Sequence, residues 1–232
     1  MHRFFVTKEQ IPSITGSDVH HIRDVLRMKA GDSLELLDGM GKVHEAKISK
    51  IEKDKIICEV LSSHLEENEP KVKVALAQAL PKARKMDFII EKCVELGVNR
   101  IIPMLTERIV PKSVKLDRWQ KISKSSAEQS GRAVIPEISP LTRFEEVLRL
   151  REKFDLALIP WELEKGITLK QVLKNLISPN ILIAIGPEGG FSQEEIKLSK
   201  EAGFVSVSLG KRILRSETAG MAALSAIMYE LE

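Results

Sequence analysis

Five short apolar runs constrain this chain more than any other feature. VKVALAQAL, RIIPML, FDLALIP, ILIAIGP and VSVSLG all lie after residue 70, and helical patterns over 85–96, 144–151, 169–176 and 193–202 separate several of them. Parallel strands need a crossover between them, and helices covering both faces of the sheet leave the strands apolar throughout rather than alternating. Residues 71–232 therefore read as an α/β domain built on a mainly parallel sheet. Ahead of it, HLEENEP (64–70) is polar, acidic and closed by proline, the composition of a linker. TGSDVHHIRDVLRMKAGD predicts a helix N-capped by Ser17, with Val19, Ile22, Val25 and Leu26 as its apolar face and Gly31 just past its end. SLELLDGMGKVHEAKISKIEKDKIICEV holds short strand-like runs broken at Asp38-Gly39 and Lys53-Asp54. Short strands with tight turns predict a small β-barrel over residues 1–70.

No apolar run approaches the ~20 residues that cross a bilayer, and MHRFFVTKEQ has no stretch of signal-peptide length. The expectation is a cytoplasmic protein in which Cys58 and Cys93, each inside an apolar run, are reduced and buried. No paired Cys/His spacing suggests a metal site. The net charge of +3 is unevenly placed: residues 71–132 hold 14 Lys+Arg against 6 Asp+Glu. A basic segment of this kind suits an RNA-facing surface, and equally a solvated helix face. Aromatic residues make up only 4% of the chain, and the strand runs of the first domain lack a base-stacking cluster, so RNA contact would rest on shape, phosphates and at most one splayed base.

Two glycine-bearing loops come after strands. In open α/β sheets ligands sit outside the carboxyl ends of the strands, so IGPEGGFSQEE is well placed. It is not a dinucleotide loop, because Gly186 is followed by Pro187 and Glu188 instead of a glycine two residues on. Nor is it a P-loop, because Gly190 is followed by Phe191 instead of Lys. It is either a ligand cradle or a tight turn that needs glycine for its backbone angles. The second loop, LGKRILRSETAG, leads from a strand into a helix near Ser216 or Thr218. That helix is apolar on almost every side from Ala219 to Leu231, the mark of deep burial or of a subunit interface.

IGPEGGFSQEE and LGKRILRSETAGMAALSA resemble the signature loops of the bacterial small-subunit ribosomal RNA uridine-N3 methyltransferases, members of the SPOUT class of trefoil-knotted methyltransferases. HHIRDVLRMKAGD, KARKMDFIIEKCVELGV, TERIV and AEQSGR are similar to stretches of that family in the same order, so the resemblance covers the whole chain. It implies a PUA-like RNA-binding β-barrel over 1–70 and a knotted parallel-sheet methyltransferase domain over 71–232. It further implies S-adenosylmethionine bound in the knot, a homodimer, and methylation of N3 of a uridine in 16S ribosomal RNA of the small subunit. The alternatives are a non-catalytic ribosome-assembly factor on the same fold and a knotted methyltransferase with another RNA target.

By the resemblance, the donor is held by Ile159, Pro160, Ile185, Gly186, Pro187, Glu188, Gly189, Gly190, Leu209, Gly210, Ile213, Leu214, Arg215, Thr218 and Ala219. Ile185, Leu209, Ile213 and Leu214 are candidates for the adenine wall. Methylation at N3 requires loss of the imide proton, and Arg132 and Arg215 are the candidate cations for the resulting uracil anion. Glu217 either accepts a proton or caps a helix; Glu188 meets either the donor's amino group or loop amides. Arg23 and Arg27, four apart on one helix face, are candidate phosphate contacts together with Lys82, Arg84, Lys85 and Arg132.

Overall fold

The computed structural model describes residues 1–82, 85–109, 114–177 and 179–232. The chain divides into two compact units, Met1–Glu69 with Ala127–Ile135, and Pro70–Ser126 with Pro136–Glu232. The segment Ala127–Ile135, which the sequence pattern leaves in the second domain, groups with the first unit.

The first unit holds a five-stranded sheet in the order β1 (His2–Phe5), β3 (Ser33–Leu37), β4 (Lys42–Ile51), β5 (Lys55–Leu65) and β2 (Ser13–Thr15). β1 runs parallel to β3, and the other pairs are antiparallel. Alternation does the sorting: along β4, Ala46 and Ile48 turn inward while Glu45 and Lys47 face solvent. Phe4, Ile14, Val19, Ile22, Leu34, Leu36 and Ile56 close the core. Turns fall near Asp38-Gly39 and Lys53-Asp54, as the sequence predicts.

The first helix departs from expectation. α1 covers only Ser17–His20, begins behind Gly16 with no side-chain cap, and passes into a single π turn over His21–Val25. Leu26 N bonds back to the His21 carbonyl, and Arg27, at φ 54°, reverses the chain. The helix therefore ends before Gly31, and Val25 is 59% exposed instead of lying on the apolar face. Widening the turn drops Val25 off the stripe that 3.6-residue spacing assigns to it.

In the second unit seven strands pair in parallel. The main path is β12 (Val205–Val207), β10 (Leu156–Pro160), β11 (Asn180–Ile185), β6 (Lys73–Ala79), β7 (Arg100–Leu105) and β8 (Glu137–Ile138), with β9 (Thr142–Arg143) also pairing β7. β6 and β11 are buried along nearly their whole length, which is why their sequences do not alternate. Helices α2 (Lys85–Glu95), α4 (Phe144–Arg149), α5 (Leu169–Leu173) and α6 (Gln193–Glu201) answer the four helical patterns of the sequence. α2 buries Met86, Ile89, Ile90, Cys93 and Val94, the stripe of an amphipathic helix.

Helix α3 (Leu116–Gln129) has no counterpart among those patterns. Its buried positions include Trp119, Ser123, Ser126 and Ala127, and Ser123 Oγ donates to the Pro136 carbonyl at 2.8 Å. Leu116, Trp119, Ile122 and Ala127 recur at helical spacing, a signal that Ser123 and Ser126 on the same face dilute without erasing. The last helix, α7 (Ser216–Leu231), is buried on one side only, through Gly220, Ala223, Leu224, Ile227 and Met228. Ser225, Ala226 and Tyr229 stay exposed, so of the two alternatives, deep burial or a subunit interface, deep burial holds for one side of the helix only. Cys58 and Cys93 are buried free thiols, and burial pushes them up to about 11 and about 12 respectively.

Candidate functional site

A cavity of about 530 Å³ opens beyond the carboxyl ends of three neighbouring strands. Its walls come from Pro160–Glu162 after β10, Ile185–Phe191 after β11 and Ser208–Ser216 after β12, with Lys85 and Ala219 added. This is the position that a parallel sheet reserves for ligands, and the volume lies in the range of small-molecule sites.

The first wall is shaped by what glycine permits. A Cβ on Gly186 would meet the Phe191 ring at 3.0 Å, and that ring is itself fixed at 5.5 Å from Phe144. Gly190 closes the turn through a 2.9 Å bond from its N–H to the Pro187 carbonyl, at φ 67°, where an L side chain is strained. Gly189 has ordinary space for a Cβ, so the steric demand of GPEGG falls on its first and last glycines. Ser192 then N-caps α6 in a capping box with Glu195. The buried Glu195 carboxylate also accepts the Glu107 N–H at 2.9 Å, and the Arg108 guanidinium donates to the Gly189 carbonyl. Glu107 and Arg108 of TERIV thereby brace the glycine loop and the helix after it, a role their sequence does not announce.

Lys85, Glu188 and Glu217 form a set of ion pairs at the site. Lys85 Nζ lies 3.0 Å from Glu217 and 3.6 Å from Glu188, and Glu188 Oε1 accepts the Lys82 N–H at 3.0 Å. Hydrogen bonding from its own backbone amide, with Lys85 and Arg215 nearby, outweighs desolvation and holds the Glu217 carboxyl below its usual range. For Glu188, burial pushes upward, but amide bonds and Lys85 together overcome it and the net shift is also downward. Both groups are committed anions. Glu188 thus accepts a loop amide while also lining the cavity, and Glu217 is an ion-pair partner in the first turn of α7 rather than its N-cap, which is Arg215.

Most of the expected donor residues converge here. Pro160, Ile185, Gly186, Pro187, Glu188, Gly189, Gly190, Leu209, Gly210, Ile213, Leu214, Arg215 and Ala219 all line the cavity. Ile159 does not, because strand alternation turns it into the core, where it is fully buried. Thr218 lies on the exposed side of α7. Ile213 lines the cavity but is 86% exposed, so the chain itself does not close it into a wall.

Arg132 is not among the lining residues; it lies in the first unit, buried, with Nη2 2.8 Å from Glu69. Arg23 binds Asp24 at 2.7 Å and the Lys53 carbonyl at 2.8 Å, and Arg27 is exposed. The Lys82 side chain is exposed, whereas Arg84 lies outside the described residues. Trp161, Glu162, Phe191, Ser208, Lys211, Arg212 and Ser216 line the cavity in addition to the residues that the sequence nominates. For Trp161 and Glu162 the signal is their place directly after the carboxyl end of β10. Among the described residues, no group of His, Cys, Asp or Glu is placed to hold a metal, and no helix is long and apolar enough to cross a membrane.

The chain matches the RNA methyltransferase domain family over residues 67–228 and the RNA methyltransferase PUA domain family over residues 14–61. The ribosomal RNA small subunit methyltransferase E of Bacillus subtilis is 36% identical, across 100% of this chain and 98% of its own length. The protein of the same name from Synechocystis is 38% identical, across 100% of this chain and 78% of its own length. A crystal structure of a ribosomal RNA small subunit methyltransferase E from Neisseria gonorrhoeae, bound to S-adenosyl methionine, gives a TM-score of 0.88 at 34% identity, covering 100% of this chain and 98% of that one. With both domains matched and relatives similar over the full length, the chain belongs to the ribosomal RNA small subunit methyltransferase E family of RNA methyltransferases.

Proposed function

We propose that this chain transfers a methyl group from S-adenosylmethionine to N3 of a uridine in 16S ribosomal RNA of the small ribosomal subunit. The observation that carries the reading is the cavity at the ends of β10, β11 and β12, walled by the two loops whose sequences match the family. The lining suits the donor. Backbone from Gly186 to Gly190 allows close approach, Leu209, Leu214 and Ala219 offer an apolar surface to a base, and Glu162 supplies a carboxylate for hydroxyl or ammonium groups. When bound, the donor supplies an electrophilic methyl group on its sulfonium.

The chain has to align a uridine, hold its N3 as an anion and exclude water. Alignment supplies much of the rate in such a reaction. Arg215, exposed at the cavity and at the N-terminus of α7, is our choice for the cation that stabilises the anion. A guanidinium cannot act as the base, and Glu188 and Glu217, held ionised by their partners, are too weakly basic to favour the task. In this proposal the Lys85 ion pairs fix loop geometry, while Lys82, Arg27, Lys211 and Arg212 meet RNA phosphates. Arg132, paired with Glu69, organises the segment around it instead of touching the reacting base.

The same proposal includes an RNA-binding part over residues 1–70, a methyltransferase part over 71–232, and a trefoil path formed by the loops at 186–191 and 208–215. It also includes a homodimer and a cytoplasmic location. Small subunits lacking the modification, incubated with the protein and methyl-labelled donor, should incorporate label as 3-methyluridine in 16S RNA. Label appearing on another base, or none with folded protein and free donor present, contradicts the assignment.

A further inference from the structure

Gln78 sits at the end of β6, fully buried, and its Nε2 donates to Ser216 Oγ at 2.9 Å and to the Ala79 carbonyl at 3.2 Å. Ser216, the first residue of α7 and itself buried, donates from Oγ to the Gly186 carbonyl at 2.5 Å. The direction of this chain is fixed by chemistry. Both contacts of Nε2 are acceptors, so the amide cannot be reversed without setting its oxygen against a carbonyl, and Ser216 has its single proton left for Gly186. On its other side Gly186 is backed by the Phe191 ring, and Pro187 limits its backbone to extended angles. Three segments that are distant in sequence thus meet on one peptide of the cavity wall.

Gln78 Oε1 has no hydrogen-bond partner among the described residues and lies where a Cβ on Gly220 would be 3.0 Å away. A buried, unsatisfied amide oxygen destabilises a core, and an apolar side chain of the same shape would serve stability better. What the glutamine adds is its donor. We infer that Gln78 and Ser216 form a relay that positions the Gly186 carbonyl, and through it the first wall of the donor site. This deepens the methyltransferase reading and rests on it. Both are positioning residues: they set the wall that binds the donor and take no part in bond making.

The test is titration calorimetry of S-adenosylmethionine into wild type, Gln78→Met, Ser216→Ala and the double variant, with a melting curve for each free protein. Each single variant should bind donor about tenfold more weakly, the effect of one lost buried hydrogen bond. The double variant should bind about as weakly as either single one, because the two residues act as one unit. Gln78→Met should melt at the wild-type temperature or above it. Wild-type affinity in both folded variants overturns the relay, as does a double variant whose loss is the product of the single losses. A loss of affinity that merely tracks a loss of folded protein makes the residues structural and also overturns it. If wild type itself binds no donor, the methyltransferase reading fails and the relay with it; wild-type binding with unaffected variants overturns the relay alone.

Discussion

Lys85 shows how a residue's neighbours decide its task. It lies in the most basic segment of the sequence, yet its ammonium is shared between Glu217 in the first turn of α7 at 3.0 Å and Glu188 of the cavity wall at 3.6 Å. The two carboxyls have depressed folded values, so their stabilisation is fully present above the ordinary carboxylate range, near 4.5, and is lost as pH falls through the lower folded values. Donor affinity should therefore be level from pH 6 to 8 (our chosen assay window, roughly two units above that range) and fall only in acid. Lys85→Met should weaken donor binding severalfold without changing the salt dependence of RNA binding; a reduced salt slope would return Lys85 to the phosphate contacts. Arg132 presents the opposite case. Its side chain is 7% exposed and its guanidinium is tied to Glu69, whose other oxygen accepts the Ala133 and Val134 amides at 2.9 Å. Removing the cation leaves a largely buried carboxylate without its partner, so Arg132→Ala should destabilise the fold by roughly 3 kcal/mol, read as a lower denaturation midpoint. An unchanged midpoint with a large loss of single-turnover rate would place Arg132 in the reaction instead.

At the level of elements, the sequence is most legible where burial is complete and least legible where polar groups do the packing. The runs that form β6, β7, β10, β11 and β12 are visible because sequences such as VKVALAQAL and ILIAIGP have no alternative to a two-sided apolar environment, whereas the two-residue β8 and β9 leave no pattern. α3 carries its signal in Leu116, Trp119 and Ile122, diluted by Ser123 and Ser126 on the same buried face, and α1 is shorter than its periodicity suggests because nothing in HHIRDVLRM signals a π turn. The same reasoning separates the site: both glycine loops show as breaks after strands, while Gln78, Ser216 and Arg108 act through hydrogen bonds between segments far apart in sequence. α7 reads as apolar all round, and its exposed stripe includes Ser225, Ala226 and Tyr229, the last 90% exposed. A helix face of this composition, open beside a buried one, supports the proposed homodimer. Ala226→Glu places a charge on that stripe without disturbing the buried face. Light scattering at micromolar concentration should report a dimer for the native chain and a monomer for the variant; a native monomer would refute the dimer.

On the scale of the whole molecule, two units of different construction divide the work in our reading. The unit built on the small mixed sheet offers exposed basic side chains such as Arg27 to RNA, and the parallel sheet places a cavity of about 530 Å³ at its strand ends for the methyl donor. The central claim is that the loops after β10, β11 and β12 hold that donor, and it is open to one direct measurement. S-adenosylmethionine is titrated calorimetrically into the native protein, and in parallel into Gly186→Val, whose side chain would press on the Phe191 ring from the position where even a Cβ comes to 3.0 Å. The account predicts saturable binding by the native chain, competition by the demethylated product, and loss of binding in a Gly186→Val protein that is still folded by circular dichroism. Native protein that takes up no donor, or a folded Gly186→Val that binds it unchanged, would contradict the account.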